Sequence, residues 1–226
     1  MSAKSIRWLS NSVLRANVGY SRKVYKFLEE DFSACAEYVA LDERHLGVYS
    51  FRLSDLILRI GPEILNVFNL ILFNSARSES FDAQPDLAKK IMSIQGRKET
   101  RRDSFIAYLD AICSARNYKL TEERILLKAI PTKFIVPFEI EKRANDGKDF
   151  NVVFWWEDGY NALRHRAIDE YATSATLKNA MFSLAALWVL HSILDFDWGR
   201  PGLATSEFFE APFTFRASRS KAEKLR

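Results

Sequence analysis

The sequence predicts an all-α fold, a helical bundle with a small extended or β-hairpin insertion, in one soluble, cytoplasmic domain. Three observations carry that expectation. Only eight glycines and six prolines occur in 226 residues, too few for the closely spaced turns of a β-sandwich. Apolar residues recur at three- and four-residue steps over several long segments, the spacing of one helix face. Hydrophobic residues make up 48% and charged residues 27%, a globular balance with enough apolar matter for one sizeable core.

The elements follow in order. Residues 22–40 put Val24, Leu28, Phe32, Cys35 and Val39 on one face and read as an amphipathic helix. A short polar loop around Asp42–Arg44 comes next. Tyr49 to Phe73 carries the strongest periodic signal, with Leu53, Leu56, Ile57, Ile60, Ile64, Val67, Phe68 and Ile71 on one continuous stripe. Gly61-Pro62 interrupts this segment. A proline inside a helix removes one backbone bond and clashes with the preceding turn, so a kink or break is expected, and the unbroken phase of the stripe favours a kink. Residues 74–100 are polar and read as a loop with a short helix at 86–95. A further helix spans Arg101 to Asn117, with Phe105, Ile106, Leu109, Ile112 and Cys113 on one side. Arg97, Lys98, Arg101 and Arg102 form the densest internal basic cluster.

From Lys128 the character changes. Residues 129–140 are β-branched and aromatic, and Pro131 and Pro137 forbid a regular helix. Asn145-Asp-Gly147 is a turn signal and Phe150–Trp155 a second apolar run, which fits either a small hairpin or two extended strips. Two helices close the domain. The first runs from about Glu157 to Asp169. The second starts near Thr173 or Ser174, either hydroxyl being a fitting cap, and passes through Leu177, Met181, Leu184, Leu187, Trp188 and His191. The expected organisation is a bundle over residues 1–211 and a basic tail over 212–226.

Charge is unevenly spread. The first 28 residues hold six basic residues and no acid, and the tail from Pro212 carries a net +4. The total is +4, so residues 29–211 are left at −6. The pI near 9.0 therefore reflects basic ends on an acidic body. Such ends either hold RNA phosphates through counterion release or are simply solvated. The N-terminus overlaps the composition of an organelle transit peptide but lacks the apolar core of a secretory signal, and it reads as an ordered or partly frayed first segment.

Several function classes find no motif. Cys35 and Cys113 lie far apart with no metal-ligand spacing, so two reduced thiols are expected and no disulfide or metal. No Walker loop, dinucleotide-binding glycine pattern or HExxH string occurs, and no cofactor is expected. A membrane span takes about 20 apolar residues. The longest run, Ala180 to Leu190, is interrupted by Ser183 and reads as a buried helix segment, so no membrane association is expected.

The closing helices carry the most informative strings: Trp155-Trp-Glu-Asp-Gly-Tyr-Asn-Ala-Leu-Arg-His-Arg166, then a capped helix containing Ala175-Thr-Leu-Lys-Asn179. Together with the long helix around Tyr49-Ser-Phe and Glu63-Ile, they resemble the HEPN (higher eukaryotes and prokaryotes nucleotide-binding) superfamily over about half of the chain. The resemblance implies a HEPN-like bundle in a homodimer, in a prokaryotic stress, toxin–antitoxin or phage-defence setting. Its partners would be RNA and an antitoxin or other protein. It also implies a metal-independent endoribonuclease, whose motif is an arginine, a polar residue, three more positions and a histidine.

Mapped onto that motif, His165 takes the histidine's place and Asn161 the polar residue's, and these are the candidate catalytic pair. The chemistry needs a group that exchanges protons near neutrality and a fixed cation for the phosphoryl oxygens. The arginine's position holds Tyr160 instead. Arg164 and Arg166 are the candidate RNA-binding cations, with Tyr160 a candidate base-stacking residue and Glu63 a possible supporting polar residue. Each has a plainer reading: His165 and Asn161 as hydrogen bonders between helices, Tyr160, Trp155 and Trp156 as core aromatics, Glu63 as a partner for amides freed at Pro62. His191, on an apolar stripe, reads as a satisfied core histidine. The alternative function is a catalytically silent HEPN-like domain for dimerisation or protein interaction.

Overall fold

The computed structural model describes residues 11–75, 102–116, 119–145, 148–197 and 205–210. The described chain is mainly helical with two small antiparallel strand pairs. Helix α1 spans Asn11–Ala36, α2 Phe51–Ser75 and α3 Arg102–Arg116. Strands β1 (Ile125–Leu127) and β2 (Ile130–Ile135) form one hairpin, β3 (Glu141–Asn145) and β4 (Lys148–Val152) another. A π-helical turn over Trp155–Asn161 leads into α4 (Ala162–Ser174), and α5 (Leu177–Asp197) follows.

The bundle is organised around α2 and α5. All eight residues of the expected α2 stripe are buried. Leu177, Met181, Leu184, Leu187 and Leu190 are buried on α5, as are Ala180, Ala185, Ala186 and Val189 between them. A helix apolar all round belongs at the centre of a bundle. By length and composition Leu177–Leu194 is also long and apolar enough to cross a membrane, a longer run than the sequence reading allowed, and most of it is buried inside the bundle. Burying each Leu, Ile or Phe contributes about 1.5–3 kcal/mol, so this pair dominates the cohesion of the fold.

Three junctions along the chain have specific physical causes. Helix α2 runs as one element across Pro62 and does not break there, the outcome that the unbroken stripe favours. Pro62 and Leu58, whose carbonyl loses its partner, both sit on the exposed side, where water can take the missing bond. Helix α5 is capped by neither Thr173 nor Ser174. Thr176 accepts from the Asn179 amide at 3.2 Å, while the Thr173 hydroxyl donates back to the Glu170 carbonyl. Of the two alternatives, a small hairpin or two extended strips, the chain forms hairpins, and two of them: Asn145 pairs with Lys148 at the Asn145-Asp-Gly signal, and Leu127 pairs with Ile130 in a second. The expected helix at 86–95, the cluster from Arg97 to Arg101, residues 1–10 of the basic N-terminus and the basic tail from 212 lie outside the described residues.

Residues 205–210 strap this assembly together. Lys128 N–H donates to the Phe208 carbonyl and Glu210 N–H to the Leu126 carbonyl, adding the strap to β1. At its other end, the buried Glu29 carboxylate of α1 accepts from the Ser206 hydroxyl and from Glu207 N–H at 2.9 Å. Glu29 also receives Tyr25 Oη at 2.9 Å and Lys26 Nζ at 2.7 Å. Burial and the neighbouring Glu29 push the Tyr25 hydroxyl well above its ordinary pKa, so it stays a donor.

Candidate functional site

The motif helix changes its winding where the candidate residues begin. A π turn bonds each N–H five residues back, and such turns concentrate at functional sites. Here Ala162 N–H reaches the Glu157 carbonyl. The wide turn directs Trp155, Trp156, Gly159 and Tyr160 inward together. Trp156 stacks on Phe105 at 4.1 Å, and Trp155 donates from its indole to the Pro137 carbonyl at 2.6 Å. Outside, Arg143 grips Asp158 with two bonds of 2.6 and 2.7 Å, tying the β3–β4 hairpin to this turn. That paired geometry raises the Arg143 pKa further above its ordinary value.

Tyr160 is 5% exposed and its ring occupies space that only glycine leaves free. A Cβ on Gly61 would lie 2.2–2.7 Å from three of its ring carbons. The structure therefore corrects the base-stacking role expected of Tyr160: the ring packs between Gly61 and Trp156 in the core. It also explains the glycine beside Pro62. Gly61 clears room for a side chain from a segment about a hundred residues away in the chain.

Asn161 is half-buried. Its amide donates to Glu157 Oε2 at 3.2 Å, and its carbonyl oxygen is buried without a partner. Arg164, His165 and Arg166 are all exposed on α4. Arg166 has φ −135° and ψ 23°, so the helix breaks its winding directly after His165. Arg166 pairs with Glu170 at 3.2 Å. His165 has no hydrogen-bond or ion-pair partner among the described residues. Of the motif's three positions, one faces the core, one bonds within the helix and one faces solvent.

No family model, curated protein or solved structure matches this chain.

Glu63 belongs to a different cluster from the one expected. It accepts the Ser21 hydroxyl of α1 and the Asn66 amide at 3.3 and 3.4 Å. Ser21 Oγ also lies 3.4 Å from His191 Nε2 on α5. Glu63, Ser21 and His191 thus join α1, α2 and α5 in one buried polar seam. Burial pushes the Glu63 carboxyl up, despite bonds from Ser21 and Asn66 that pull it down. Burial, then the charge of Arg22, holds His191 down at about 3. His191 is a core histidine, as expected, but its Nδ1 is buried with no partner, so it is not a fully satisfied one. His45 has its Nδ1 3.1 Å from the Ala40 carbonyl in a surface turn.

Two participants escaped the sequence reading although each left a signal. Ser21 sits on the apolar stripe of α1, between Val18 and Tyr25, where a polar residue implies a buried partner. Glu157 precedes Asn161 by four residues, directly follows two tryptophans and is itself buried.

Proposed function

We propose that this chain is a HEPN-like helical protein that binds RNA through Arg164, His165 and Arg166 without cleaving it. The single observation behind this reading is how the motif splits on the helix: Tyr160 packs in the core, Asn161 donates to Glu157, and only His165 and its flanking arginines face solvent. Cations in solvent suit phosphate binding, which needs charge but little fixed geometry. Cleavage asks for more. It needs a rigidly placed cation beside the histidine, and the position that supplies it in the motif holds a buried tyrosine here. The resemblance extends the proposal to a homodimer in a cytoplasmic stress or phage-defence setting, with an antitoxin-like protein as a further partner.

Metal-independent cleavage is the second reading. It is favoured by the exposure of His165, which has no partner among the described residues to compete with substrate. A catalytically silent dimerisation or protein-interaction domain is the third, and it differs in expecting no RNA binding. One experiment separates them: RNA binding and RNA cleavage by the purified protein, both in EDTA, for wild type and His165→Ala. Binding without cleavage is the expected result. Cleavage that survives EDTA and disappears in His165→Ala would establish the nuclease. No binding by a folded wild type would leave the silent domain. For binding, removing Arg164 or Arg166 should flatten the salt dependence. The change in slope is about 0.7 in log K per log salt for each single-strand phosphate that the variant no longer neutralises.

A further inference from the structure

At the junction of α2 and α4 the surface carries aromatic rings that the core does not use. Phe51, the first residue of α2, is 83% exposed, and Tyr49 is 53% exposed. Both lie against Tyr171 of α4. The Phe51 ring sits 4.8 Å from it, tilted by 39°, and the Tyr49 ring meets it edge-on at 6.1 Å. Tyr171 supports both rings from below, and each keeps a side open to solvent.

The backbone that carries these rings is held in place. Ser50 N–H donates to the Ala175 carbonyl at 3.3 Å, Leu177 N–H to Val48 at 2.8 Å and Lys178 N–H to Leu46 at 3.0 Å. Tyr49 is bridged to Thr176, and the Ser50 hydroxyl caps α2 by accepting from Leu53 N–H at 3.2 Å. Residues 46–50 are thereby stitched to the turn between α4 and α5. A ring held this way loses little freedom when something stacks on it.

Three basic residues lie near the rings along the chain. Arg52 follows Phe51 directly and is exposed, with no acid paired to it among the described residues. Lys178 is exposed at the start of α5, with its Nζ 4.3 Å from the centre of the Phe154 ring. Arg164 lies seven residues before Tyr171, on the other side of the break in α4 at Arg166. Open aromatic planes beside positive charge form the arrangement that holds single-stranded nucleic acid, because every unpaired base offers a π face. A duplex hides those faces inside its own stack.

We infer that Phe51, supported by Tyr171 and flanked by Tyr49, is a base-stacking platform for single-stranded RNA whose phosphates run to the cations of α4. This rests on the RNA-binding reading above and adds the strand form that the site selects. The test is fluorescence anisotropy of a labelled short oligoadenylate, alone and annealed to its oligouridylate complement, with the full chain. Wild type should bind the single strand more tightly than the duplex. Phe51→Ala should weaken the single strand by about tenfold or more and leave the duplex unchanged, and Phe51→Trp should restore it. Arg164→Ala with Arg166→Ala should weaken both. Because Phe51 is exposed, the alanine variant keeps the fold, which an unchanged circular-dichroism melt verifies.

If Phe51→Ala binds the single strand as wild type does, the platform is overturned while the RNA-binding reading stands. If wild type binds neither form, that reading falls and the platform with it. If Phe51→Ala splits a dimer in sedimentation and leaves RNA binding intact, the rings are a protein interface and the inference is wrong.

Discussion

His191 and His165 sit in opposite surroundings. His191 lies 1% exposed in the seam between α1, α2 and α5, against Ser21 and the Tyr25 ring. His165 stands in water between two exposed arginines on α4. Burial has removed the proton-exchanging ability of the first, since its pKa falls to about 3. The second keeps access to solvent and to any phosphate that arrives. The difference teaches that a histidine's type says little about its use. What decides is whether the face it occupies is apolar, and that is legible in the sequence: His191 follows Leu184, Leu187 and Trp188 along a buried stripe, whereas His165 has arginines on both sides.

The comparison breaks most readily at Gly61, because α2 serves both regions: Gly61 admits Tyr160 and Glu63 enters the seam. Gly61→Ala would ordinarily gain about 1 kcal/mol in a helix. Here the added carbon overlaps the Tyr160 ring, and overpacking this close outweighs that gain and leaves a net loss of about 3 kcal/mol. At 2–4 °C for each kcal/mol, a thermal melt should show a fall of roughly 6–12 °C. A rise in Tm would mean that Tyr160 is not held where it is described.

Next in size is His191→Ala, which opens a cavity and takes a partner from Ser21, with an expected loss of about 2–3 kcal/mol. Urea unfolding measures it. A variant as stable as wild type would show that the seam contributes nothing to the fold.

The pH dependence of the seam sharpens the contrast. His191 has a folded pKa below its unfolded value of 6.5. Its contribution is therefore fully present above that value and is lost as pH falls from there towards about 3. Glu63 runs the other way. Its pKa is raised from 4.5, so its contribution is present below 4.5 and is lost as pH rises through the folded value. The Tm advantage of wild type over His191→Asn should shrink on acidification from 6.5, and that over Glu63→Gln should shrink as pH rises above 4.5. Gaps that stay constant across these windows would refute both assignments.

The smallest effect belongs to His165→Ala. A surface position without partners should move Tm by less than about 2 °C, since such substitutions stay within about 0.5 kcal/mol. A larger loss would place His165 against another protein chain.

The α2 stripe and the apolar centre of α5 were legible because burial repeats every three or four residues and a single pass along the chain detects it. The motif helix was harder. Its π turn follows a different period, so a reading at helical spacing starts α4 at Glu157 and misses Trp155 and Trp156 as parts of the same turn. Cross-chain polar pairs were harder still. Ser21 and His191 are 170 residues apart, and no local pattern announces that they meet. The strap at 205–210 was invisible for the same reason. Apart from the Ser206 hydroxyl, its bonds to Glu29 and β1 come from backbone groups, which carry no residue-type signal.

That strap has a consequence in time. Ser206 and Glu29 are separated by 177 residues, so their bond closes nearly the whole described chain into one loop. Lengthening a loop adds little to the equilibrium cost of closing it, because that cost grows only with the logarithm of its length. Synthesis is another matter. At about 5–20 residues per second, α1 leaves the ribosome roughly 10–35 s before Ser206 is made. Throughout that interval the Glu29 carboxylate must stay hydrated and the groove that will take Phe208 and Phe209 stays open. Helix α1 is thus among the last parts of the described fold to be sealed.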